Sequence, residues 1–112
     1  MSRPVQEATG LSLTILRTHP PTLHIAADGI VPSSGWTNAR LEPRIYITFP
    51  ADGVQEFDFV ADPPTGHALW VMSPIHAIAD IQGYPSEWKG IRIHTATNKL
   101  EQPISEAITL RS

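Results

Sequence analysis

The chain has 112 residues, 41% hydrophobic and 17% charged, with a net charge of −3 and no cysteine. That length supports one domain with its own core, and the composition excludes wholesale disorder and fibrous repeats. The lack of cysteine removes disulfides, thiol redox chemistry and thiolate–zinc sites, and eight basic residues scattered without a cluster leave no phosphate-binding surface, so nucleic acid is not an expected partner.

Residues 1–10 are polar and contain Pro4 and Gly10. They read as a flexible arm outside a single domain spanning 11–112. Their N-terminal end, Met1 to Glu7, lacks the apolar centre of a secretory leader, and no stretch approaches the roughly 20 apolar residues of a membrane span, so a cytoplasmic chain without a membrane partner is expected.

From Leu11 the apolar positions Leu11, Leu13 and Ile15 alternate with Ser12 and Thr14, which predicts a strand with one buried face. His19-Pro20-Pro21 ends it. A second strand is predicted over Thr22 to Val31, with Leu23, Ile25 and Ala27 inward and His24, Ala26 and Asp28 outward. Residues Pro32 to Pro43 have no clear period and read as a long loop that carries Trp36 and Asn38. Arg44 to Phe49 alternates again, and Pro50-Ala51-Asp52-Gly53 suits a turn closed by glycine, so a hairpin with Gln55 to Val60 is expected, with Phe57, Phe59 and Ala61 inward and Glu56 and Asp58 outward.

Ala68 to Met72 is apolar without alternation and predicts a central strand covered on both faces, with Trp70 in the core. Ile75 to Ile81 continues it or forms a separate strand. Gln82 to Lys89 is a second long connection, containing Tyr84 and Trp88. Gly90 to Ala96 reads as a strand, and a last one is predicted from Ile104 to Leu110. Together these elements predict an all-β chain of seven or eight strands, an antiparallel two-sheet sandwich or, in second place, a small open barrel. No internal repeat is evident.

The Gly35-Trp36 loop, the Pro50-Ala51-Asp52-Gly53 turn and the strand Glu56 to Ala61 resemble, in architecture, a small immunoglobulin-like or fibronectin-like domain. The paired cysteines of true immunoglobulin domains are missing, so the resemblance implies a fold and no function.

Sequence motifs for phosphate loops, dinucleotide binding, zinc proteases, serine hydrolases and EF-hands are absent. An enzyme is therefore the less favoured reading, and no cofactor is expected. Half-exposed aromatics in loops are common at binding sites, which makes Trp36, Asn38, Tyr84 and Trp88 the candidate ligand-binding residues for a protein or small ligand. A homodimer is a further possibility, through the strand at Ala68 to Met72. The alternative is a metal-binding protein or small metal-dependent enzyme using histidines from separate strands, with His24, His76 and His94 as weak candidates because all three fall on outward phases.

Overall fold

The computed structural model describes residues 2–110; Met1 and the last two residues of the expected domain lie outside the described residues. Nine strands are found there: β1 (Arg3–Pro4), β2 (Glu7–Leu16), β3 (Thr22–Val31), β4 (Thr37–Pro43), β5 (Val54–Asp62), β6 (Ser73–Gln82), β7 (Gly90–His94), β8 (Lys99–Pro103) and β9 (Ile108–Leu110). A single 3₁₀ turn, Ile104–Glu106, precedes β9. One sheet carries the order β6-β3-β2-β9; the other runs β5-β7-β8, with β1 and β4 also pairing β5. The two sheets pack together and do not close into a barrel.

Both sheets are mixed rather than wholly antiparallel, because β5 pairs β7 in parallel and β2 pairs β9 in parallel. Parallel neighbours cannot be joined by a tight turn. The chain accordingly leaves β5, crosses to the other sheet as β6, and returns as β7.

The core lies between the sheets. Leu13, Leu23, Ile25, Ala27 and Val31 face Phe57, Phe59, Ala61, Ile91 and Ile93, all of them buried. The period-two pattern of β3 and β5 is therefore realised as predicted, and each large side chain fully removed from water contributes about 1.5–3 kcal/mol. The Pro50–Gly53 turn also forms: the Gly53 amide donates to the Pro50 carbonyl at 3.0 Å, and Gly53 takes φ +74°.

Three segments depart from expectation. The first ten residues are not an arm outside the domain. Arg3 and Pro4 pair with β5, Val5 and Ala8 are buried, and the Asn98 side chain accepts from the Ala8 amide and donates to its carbonyl, both at 2.9 Å. Second, residues 37–43 are a strand, and it is this segment, not Arg44 to Phe49, that pairs with β5. Its alternation is hidden because Arg40, Glu42 and Pro43 surround a single buried leucine, Leu41.

Arg44 to Phe49 instead forms a loop in which Arg44 and Tyr46 turn to the protein. Arg44 Nη2 donates to Asp58 at 2.9 Å and Tyr46 Oη donates to Glu56 at 3.0 Å, which leaves Ile45 and Ile47 wholly in solvent, 97% and 107% exposed. Third, Ala68 to Met72 is neither a strand nor central. Bounded by Pro64 and Pro74, it spends backbone hydrogen bonds on Ser34 and on an internal turn, so Leu69 and Trp70 stand in solvent, 73% and 87% exposed. β8, like β1 and β4, has no counterpart among the expected strands; it is an edge strand with Leu100 as its apolar contact to the core.

Candidate functional site

The four loop residues expected to form one binding region are divided between opposite ends of β3. Trp36 and Asn38 lie where β3 ends at Val31, beside Pro32 and Ser33. Tyr84 and Trp88 lie where β3 begins, in a concavity of about 500 Å³ with Pro20, Pro21 and Ile104. Ten strand residues separate these ends by roughly 30 Å, so they cannot share a small ligand.

At the Tyr84 end the aromatics serve the core. Trp88 packs edge-on against buried Phe57, ring centroids 6.4 Å apart, and Tyr84 is likewise half-buried against core residues. Asn38 has a local task too: it takes φ +55°, which asparagine tolerates, at the irregularity between β4 and β5, and its amide donates to Asp62 at 3.2 Å. That bond, with help from Arg40, holds the Asp62 carboxyl below its ordinary pKa.

The Trp36 end holds the deeper concavity. A cleft of about 560 Å³, within the usual range for ligand pockets, is lined by Trp36, Trp70, Pro63 and Pro64 together with the polar side chains of Arg3 and His67. Ser33 and Ser34 set its shape. Trp36 Nε1 donates to Ser33 Oγ at 3.1 Å, which fixes the indole plane; the Leu69 amide donates to Ser34 Oγ at 3.0 Å and the Ser34 amide to the Leu69 carbonyl at 3.0 Å. The apolar loop is thus tied to the β3–β4 loop at one point while Leu69, Trp70, Val71 and Met72 remain exposed. Sequence reading placed Trp36 here but assigned Trp70 to the core. The available signal was the lack of alternation between flanking prolines and glycine.

The three candidate metal-binding histidines do not converge. His24 lies 2.6 Å from Asp80 and His76 lies 3.9 Å from Asp28 on one sheet, while His94 Nε2 lies 2.8 Å from Glu56 on the other. Among the described residues no group of three or more His, Asp or Glu side chains is placed to hold a metal ion. Each histidine has instead found a carboxylate across one strand pair.

Glu56 anchors the main polar cluster. Burial would raise its pKa, but hydrogen bonds from His94, Tyr46 and Arg92 outweigh that and lower it to about 2. Arg92 also meets Glu101 at 2.7 Å, and the guanidinium is correspondingly held above its usual range by Glu101 and Glu56. The Tyr46 hydroxyl is raised, chiefly by burial. A carboxylate so fully supplied with donors is a poor proton carrier near neutrality, and the cluster functions as the clamp for the Ile45–Ile47 loop.

Among the described residues no helix is long and apolar enough to cross a membrane. No family model matches the chain, and no curated protein or solved structure shows significant similarity to it.

Proposed function

We propose that this domain is a non-enzymatic binding module that takes an extended apolar segment of a partner protein in the cleft between Trp36 and Trp70. The observation that supports this reading most directly is the exposed apolar run Leu69 to Met72, held against the Trp36 loop by backbone and Ser34 hydrogen bonds instead of folding onto the core. Exposed contiguous apolar surface costs solubility and marks interaction sites more often than accident. Rigid tryptophans and prolines offer contact area with little side-chain entropy to lose, and they suit extended peptides. A sandwich of the immunoglobulin or fibronectin kind displays its loops at two ends, and the proposed site uses one such end.

The test is selection from a phage-displayed library of random heptapeptides. Peptides rich in apolar and aromatic residues are expected to enrich, and binding should fall at least about tenfold on Trp70→Ala, in line with loss of a central aromatic anchor. Because Trp70 is exposed, that variant should keep the native melting temperature. Equal enrichment on the native protein and on Trp70→Ala would refute the proposal.

A further inference from the structure

The five-residue segment His24-Ile25-Ala26-Ala27-Asp28 is echoed by His76-Ala77-Ile78-Ala79-Asp80, a near-repeat that keeps His first and Asp last and exchanges the isoleucine with an alanine between them. The two copies are neighbours in space. They form the middle of β3 and of β6, paired antiparallel so that His24 faces Asp80, Ala26 faces Ile78 and Asp28 faces His76. Antiparallel pairing of the two segments generates a local pseudo-two-fold axis normal to the sheet, between Ala26 and Ile78, that relates the His and Asp positions. All six side chains point away from the core, since Ile25, Ala27 and Ala77 between them are buried. The next strand adds Gly10, Ser12 and Thr14 to the same face, none charged.

This arrangement has a consequence for a second copy of the chain. Let the same face be laid against it about a two-fold axis parallel to the strands, midway between β3 and β6. The partner's Asp80 then lies over His24, the partner's His76 over Asp28, and the partner's Ile78 over Ala26. Every charge-bearing side chain meets its complement. A two-fold axis perpendicular to the strands also matches His to Asp, but it sets Ile78 against Ile78 and leaves a gap at Ala26. Size therefore selects the first arrangement. Ile78, 52% exposed in the monomer, fills the hollow left by the small alanine. Facing sheets pack about 10 Å apart, a gap that imidazole and carboxylate side chains bridge from opposite sides.

We infer that the outer face of β3 and β6 is a self-complementary docking surface for a second copy of this chain, centred on Ala26 and Ile78 and bounded by the two His–Asp pairs. The surface is separate from the Trp36–Trp70 cleft and does not depend on it. The overlap is two strands wide, at the small end of interface sizes, so the dimer is a weak one and assembles at high protein concentration.

Sedimentation equilibrium from micromolar to about 1 mM protein, in EDTA to exclude bridging metal, tests this. The native chain should move from its monomer mass of 12.3 kDa toward twice that value. Ile78→Lys should weaken dimerisation at least about tenfold without changing the circular dichroism spectrum, as it removes the central contact from an exposed site. His76→Asp should weaken it by a similar factor, because it sets carboxylate against carboxylate at two symmetric places. Adding Asp28→His restores opposite partners and should return the constant to near the native one. Trp70→Ala should leave it unchanged. A native chain that stays monomeric to about 1 mM, a dimer indifferent to Ile78→Lys, or a failure of Asp28→His to rescue would each overturn the inference.

Discussion

Replacing Glu56 by glutamine should remove a defined portion of the stability of this domain, and only above acid pH. In the folded chain the Glu56 carboxyl titrates at about 2 against an ordinary 4.5, held there by His94, Tyr46 and Arg92 against the opposing effect of burial. At about 1.4 kcal/mol per pH unit, that interval corresponds to about 3 kcal/mol of stability. The sign follows from the depressed value: the contribution is complete above the unfolded pKa of 4.5 and is lost as pH falls through that value toward 2. The side chain is only 18% exposed, so solvent screening takes little of it. Urea denaturation at pH 7, 5, 3.5 and 2.5 would measure it. The native chain should lose stability steeply across the last two steps; Glu56→Gln should start lower by about 3 kcal/mol at pH 7 and lose less on acidification. Asp62, also depressed, supplies a common background in both proteins. Equal midpoints at pH 7, or parallel pH profiles, would show that the cluster contributes nothing to folding.

Gly29→Ala should destabilise by about 1–3 kcal/mol in a thermal melt, because a Cβ there would sit 2.7 Å from the Glu7 carbonyl oxygen and 2.9 Å from Val5 Cγ1. The gain of about 0.4–1 kcal/mol from a stiffer unfolded chain is smaller than that clash. Phe57→Ala, removing a fully buried ring that supports Trp88, should cost about 3–5 kcal/mol by chemical denaturation. The double substitution Ile45→Ser with Ile47→Ser should change stability by no more than about 0.5 kcal/mol, since neither side chain touches the core, and a larger loss would mean that the loop packs down in solution. Trp88→Ala should destabilise while Trp70→Ala should not, and intrinsic fluorescence should lose its most solvent-exposed component only in the latter.

The strands legible in the sequence are those whose two faces see different environments. In β3, Leu23, Ile25 and Ala27 meet the opposite sheet while His24 and Asp28 meet water, and the alternation records that difference directly. Where the pattern misled, the rule was applied to segments whose partner was not the core. Arg44 to Phe49 alternates as cleanly as a strand, yet Arg44 and Tyr46 are anchored by Asp58 and Glu56 while Ile45 and Ile47 stand in solvent. Period alone cannot say which face is inside. Ala68 to Met72 misled for a related reason: hydrophobicity marks surface that gains from burial, and that gain can come from a partner as readily as from the chain's own core.

The candidate site was legible in part. Trp36 is legible because glycine and serine beside it announce a loop, but Pro63, Pro64 and Trp70, which complete the cleft, come from far along the chain. The histidines were read as surface positions with open partners, and their separate carboxylates, Asp80, Asp28 and Glu56, depend on register between strands far apart in sequence. The same register turns two similar five-residue segments into a pseudo-two-fold surface; along the chain their likeness is only a coincidence of spelling.

By itself, then, the sequence determined an all-β chain, the inward faces of β3 and β5, the Pro50–Gly53 turn and the exclusion of thiol chemistry, because each depends on neighbours within a few residues. Tertiary structure alone decided that the sheets are mixed, that residues 3–10 belong to the body of the domain, and that Trp36 and Trp88 stand at opposite ends. Those facts rest on pairing between segments far apart in the chain, such as Ala8 with Asn98 and Thr14 with Ile108. Local periodicity reports which side chains gain from leaving water, while long-range pairing decides what they meet when they do.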